Sequence, residues 1–269
     1  MSVLSLARVV VVLSLAVVGS GCINSGTLVK VKPDGSGTLE QTLLVNMQTL
    51  KGFMAGMGGA GEVKQSGGVL TEAEFKRAAE RMGVKPVSLT PLTEGGFEGA
   101  RALYAFDDIT KIRVDQDPPM SGSSSGTFQK SPTSSAPIRF SLAKQGGASV
   151  LTIAFDEKAM ASASEKAPAA PKEVDPAMMQ MLKGIFQGFR IAIDLGVDGT
   201  IVKTNADYVN GSRITLLEVD MAALLEDEAK LKELQSRVGP GVTISQMKPF
   251  LKNVKGVKIN HPTVTIEYR

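Results

Sequence analysis

The 269 residues contain one cysteine, one histidine and no tryptophan. With Cys22 alone there is no intramolecular disulfide, no CxxC redox pair and no multi-cysteine metal site, so stability must come from packing. With His261 alone, the commonest general base and metal ligand is missing from any multi-residue site. Aromatic residues make up 5% of the chain, and 30 Lys and Arg against 27 Asp and Glu leave a formal charge of +3. A nucleic-acid reader would show a strong basic excess with stacking residues, and is excluded on that ground. Crossing roughly 30 Å of hydrocarbon takes about 20 apolar residues, and the longest mostly apolar stretch, at 9–18, is about half that. Gly56, Gly58, Gly59 and Gly61 crowd together, but no Lys-Ser or Lys-Thr follows and no strand leads into a helix start, so this is a loop and not a phosphate cradle. No serine sits in a nucleophile elbow that could use His261. Enzymatic chemistry and a bound cofactor are therefore not expected.

What is there begins at the N-terminus. Arg8 precedes a mostly apolar run from Val9 to Val18, followed by Gly19-Ser20-Gly21-Cys22. A basic residue, a short apolar run and small residues before a cut make a secretory signal peptide. A cysteine at the cut resembles the lipobox of bacterial lipoproteins. On this reading residues 1–21 are removed and Cys22 is acylated; ordinary signal-peptidase cleavage and an uncleaved anchor are the alternatives. Two or three acyl chains, at about 0.8 kcal/mol per buried methylene, hold a domain on a membrane where one chain does so only marginally. Residues 22–26 would form a short tether, and at about 3.6 Å per extended residue it keeps the domain within roughly 15 Å of the bilayer.

Residues 27–269 read as one α+β domain, mainly an antiparallel sheet of hairpins and a meander, with several packed helices. Alternation marks strands at 27–32 and 38–45 around Asp34-Gly35, at 84–92 and 97–106 around Gly95-Gly96, and at 138–143 and 149–155 around Gly146-Gly147. Strands at 189–195, 200–205 and 213–219, with turns at Asp198-Gly199 and Asn210-Gly211, suggest a meander, and 263–268 an edge strand. Helical spacing joins Met47, Leu50, Met54 and Met57, and covers 176–187, 221–238 and 245–254. Thr71-Glu72-Ala73-Glu74 is a capping box opening a helix with Phe75, Ala78, Ala79 and Met82 on one face and Gly83 as its stop. Residues 115–137, rich in Ser, Gly and Pro, lack the apolar side chains to offset the entropy of ordering and read as a disordered insertion. A second linker covers 162–174, and a division into two domains near Glu165 stays open.

Met47, Met54 and Met57, with Met178, Met181 and Phe186 on a later helix, are flexible apolar side chains suited to a groove that opens to a lipid or amphiphile. The plainer reading makes them core filler over the sheet. Lys248, Lys252, Lys255 and Lys258 give a local positive excess that could touch anionic headgroups, at about 1 kcal/mol per residue near the surface; a solvated helix face is the alternative. Asp107, Asp108, Asp115 and Asp117 offer oxygen ligands, but not at the spacing of a calcium loop, so no metal site is expected. Asp108 suits the cap of a short helical turn.

Four stretches resemble bacterial envelope lipoproteins of the mycobacterial LppM-like group: Val31-Lys32-Pro33-Asp34-Gly35-Ser36-Gly37-Thr38, Tyr104-Ala105-Phe106-Asp107-Asp108-Ile109, residues 202–209 followed by Asn210-Gly211, and Gly256-Val257-Lys258-Ile259. The resemblance implies an α+β domain with a lipid-accommodating cavity. Similarity to lipoproteins of two-membrane bacteria implies the periplasmic face of the outer membrane, since Ile23 and not Asp follows the cysteine. The expected function is that of a non-catalytic, lipid-anchored envelope protein whose partners are the membrane and a lipid or amphiphile. The alternative is a structural module that presents a sheet edge or its basic face to another envelope protein.

Overall fold

The computed structural model describes residues 23–49, 70–114, 138–157, 183, 188–227, 229–230, 233–234 and 242–269. Cys22, the insertion expected at 115–137 and the linker expected at 162–174 lie outside them, as does the helix expected at 176–187 apart from Lys183.

Alternating burial drives strand formation. In β1 (Ile23–Val31) and β2 (Gly37–Val45) the side chains of Val29, Val31, Leu39, Leu43 and Val45 turn inward, and the strands pair antiparallel from Ile23↔Val45 to Val31↔Gly37. The expected hairpins β3 (Lys85–Glu94) with β4 (Phe97–Phe106), and β5 (Arg139–Gln145) with β6 (Ala148–Ala154), are present. The remaining strands are β7 (Arg190–Val197), β8 (Ile201–Thr204), β9 (Val209–Asn210), β10 (Arg213–Asp220), β11 (Val257–Ile259) and β12 (Thr263–Tyr268). They assemble an eight-stranded sheet in the order β11-β10-β7-β1-β2-β4-β3, with β9 also on β10, and a four-stranded sheet in the order β5-β6-β12-β8.

Both sheets contribute to one core. Val29, Leu39, Tyr104 and Leu195 come from the larger, and Leu151, Ile153, Val264 and Ile266 from the smaller. Helix α1 (Glu72–Met82) adds Phe75, Ala78, Ala79 and Met82, with the Phe75 and Tyr104 ring centroids 4.9 Å apart. Its capping box is formed as read, and Gly83 closes it in the left-handed conformation at φ 70°. A smaller cluster of Leu224, Leu251, Val254 and Val257 joins α2 (Met221–Glu226) and α3 (Ile244–Leu251) to β11.

Several expectations are corrected. The fold is predominantly β, with twelve strands against three α-helices and one 3-10 turn among the described residues, and is not a helix-rich α+β domain. The expected meander is split between the sheets. β7 pairs with β10 and, in parallel, with β1, while β8 crosses to the small sheet and pairs with β12. At the crossing, Thr200 and Arg269 exchange backbone bonds of 2.8 and 3.1 Å. Gly199 fits beneath them because a Cβ there would stand 2.2 Å from the Arg269 carbonyl oxygen. β12 is consequently a central strand, between β6 and β8. The helix expected over 221–238 is interrupted at Asp227, whose backbone is non-helical at φ −104° and ψ 81° and whose carboxylate accepts from Lys230 N at 3.0 Å. Residues 23–26, expected as tether, already belong to β1, because Ile23 is in register with Val45.

Candidate functional site

The site begins at an irregularity in β10. Its pairing with β7 shifts register between Thr215 and Leu217, and its free side is shared by β9 at Arg213–Ile214 and β11 at Leu217–Val219. Asn260 closes the gap between those two partners. Its backbone N–H donates to Leu216 O at 3.0 Å, and its side-chain Nδ2 donates to Thr215 O at 3.0 Å. The side-chain Oδ1 accepts from the backbone N–H of both Asp207 and His261, each at 3.1 Å. One buried amide thus holds two chain segments, and with them an acid and an imidazole, side by side.

Helix α3 completes the cluster. Thr243 and Gln246 form a capping box at its start, and Glu157 accepts from Ser245 N at 2.7 Å and from Ser245 Oγ at 3.0 Å, fastening the helix beyond the end of β6. Lys248 then reaches Asp207 Oδ2 at 2.5 Å, while His261 Nε2 lies 3.5 Å from Asp207 Oδ1. The Lys248 Nζ is buried, and beyond this ion pair no acceptor is placed to hydrogen-bond it among the described residues. Contact with the Lys248 ammonium, aided by the charges of His261 and Lys252, holds the Asp207 carboxyl below its ordinary value against the opposing effect of burial. Around these groups opens a cleft of about 250 Å³, lined by Asp207, Tyr208, Lys248, Lys252, Leu251 and Ile259 among others.

Chemically the cleft offers cations beside an apolar wall of Leu251 and Ile259, with an ionised carboxylate. Ligand pockets of drug size run from about 300 to 1,000 Å³, so this one suits a small polar group. Among the described residues no set of three or more His, Cys, Asp or Glu could hold a metal ion. No helix among them is long and apolar enough to cross a membrane.

The residues singled out in the sequence are dispersed. Lys248 and Lys252 line the cleft, whereas Lys255 pairs with Glu226 at 2.5 Å and Lys258 with Glu218 at 3.1 Å. Three of the four charges are thus met by carboxylates on separate elements. Met47 is half-buried at the start of a helical turn over 47–49, which buried Asn46 caps by accepting from Thr49 N at 3.1 Å. Met54, Met57, Met178, Met181 and Phe186 lie outside the described residues. Asp107 pairs with Lys85 at 2.6 Å, and Asp108 caps the 3-10 turn Ile109–Lys111 as read, accepting from Thr110 N at 3.0 Å. Asp207 and Asn260 were missed. An Asn beside the only histidine was visible, but nothing in the spacing of 207, 248 and 260 signals their meeting.

No family model and no curated protein matches the chain. Among solved structures it is similar to the NMR structure of the folded domain of the LppM protein of Mycobacterium tuberculosis. The two are 11% identical over 93% of this chain and 91% of that one, with a TM-score of 0.34. The resemblance is distant.

Proposed function

We propose that this protein is a lipid-anchored, non-catalytic protein of the cell envelope that binds a lipid or amphiphile. The observation that carries the reading is the closeness of address and fold: the signal-like segment ends at Cys22, and Ile23, next in the chain, is already in β1 and paired to Val45. For ligand binding, the cleft with Lys248, Lys252, Leu251 and Ile259 offers charge and apolar surface together, on the scale of a headgroup. Placement on the periplasmic face of an outer membrane follows the lipoprotein reading and the Ile23 that succeeds the cysteine. The test is metabolic labelling with palmitate followed by fractionation. Wild type incorporates label and sediments with membranes, and Cys22→Ala does neither; equal labelling of the two overturns the reading.

A second reading, an interaction module, is favoured by the outer strand β8 of the small sheet, where Val202 is 52% exposed. An extended partner segment could add to such an edge. Val202→Lys would weaken capture of that partner without releasing the protein from the membrane.

A further inference from the structure

We propose that the protein stands end-on on the bilayer, with the end of the larger sheet where β1 starts meeting the lipid headgroups. The inference rests on acylation of Cys22 and adds a posture to it. Consecutive Cα atoms lie about 3.8 Å apart, so Cys22 is one step from Ile23. That residue is already fixed in the sheet, in register with Val45, while Asn24 is in register with Arg190 of β7. No linker residue stands between Cys22 and the first paired residue of the sheet.

The attachment point is also central. Along the path β11-β10-β7-β1-β2-β4-β3, β1 has three strands on either side. A lipid fixed at the start of the middle strand brings the end of β2, the start of β4 and the start of β7 down together. Val45, Glu98 and Arg190 mark that end, since Glu98 is in register with Val45. At about 3.3 Å per residue, a nine-residue strand places the opposite end, with Asp34 and the Lys85–Asp107 pair, roughly 26 Å farther from the membrane.

Lying flat is disfavoured by the outer face of the larger sheet. Most of its charges are paired across strands, Arg101 with Glu40, Arg213 with Asp194, and both Arg190 and Lys258 with Glu218, while Lys30 of β1 stands exposed. The large apolar side chains exposed among the described residues are Val87, Val202, Val209 and Phe250; two of them belong to the larger sheet, Val87 on its outer strand β3 and Val209 on the short β9, and none lies on β1, β2, β4, β7 or β10. The face thus offers a lipid surface one exposed lysine and two separate valines, and neither a basic field nor a continuous apolar patch.

The sole natural thiol is taken by the lipid, so an introduced cysteine can be labelled alone. Glu98→Cys and Asp107→Cys, both at exposed positions, are each given a fluorophore in the full lipidated protein. The proteins are placed in vesicles of phosphatidylethanolamine and phosphatidylglycerol containing a headgroup-linked quencher. The label at 98 should be quenched several-fold more than the label at 107. Equal quenching, or the reverse order, in protein that floats with the vesicles overturns the posture alone. Protein that fails to float overturns the anchor and the posture with it.

Discussion

Tyr104 is fully buried, and its hydroxyl has no hydrogen-bond partner among the described residues. Burial pushes its phenol up to about 12, with Arg81 opposing. The folded value lies above the unfolded one of about 10, so the neutral phenol's contribution is intact below about pH 10 and is lost as the pH rises towards 12. Tyr104→Phe should raise stability by about 1 kcal/mol, because it removes an unsatisfied buried group. It should also flatten the alkaline fall of the urea midpoint, whereas an unchanged alkaline slope would contradict the account. Asn260 is the opposite case, a buried amide with its oxygen shared by two donors and its nitrogen spent on Thr215. Asn260→Ala leaves those groups unpaired and should cost about 2–3 kcal/mol in urea unfolding. A loss within error of zero would remove Asn260 as the organiser of the cleft.

Most strands were legible as elements, but only the pairings between elements adjacent in the chain were, and those between remote ones were not. Local alternation and paired glycines disclosed the β3–β4 and β5–β6 hairpins, and Thr71 with Glu74 disclosed α1, since each signal lies within a few residues. The Asp198-Gly199 turn reverses nothing: it hands the chain from β7 to β8 in the other sheet, under Arg269. No dipeptide encodes a partner that distant. β11 is only three residues long, too short for its Val-Lys-Ile alternation to mark a strand, and went unread. In the candidate site, two of the four lysines of the basic segment were found, but their acidic partner was not. The crossing also makes a prediction. Gly199→Ala should lower the urea midpoint more than Gly146→Ala, because a Cβ at 199 meets the Arg269 carbonyl whereas at 146, at φ 56°, it meets open space. Equal losses would mean that backbone strain alone acts at both positions.

Across the whole molecule, the larger sheet is built outward from the residue that follows Cys22. β1 pairs with β2 on one side and with β7 on the other over nearly its full length, so its first residues are among the structural ones. A lipid there would pull on the middle of the sheet and not on a loose terminus. Mass spectrometry of the N-terminal peptide, from protein extracted out of bacterial membranes, tests this most directly. The account predicts a peptide that begins at Cys22 and carries two or three acyl chains. A first residue other than Cys22, or Cys22 with its thiol unmodified, would contradict it.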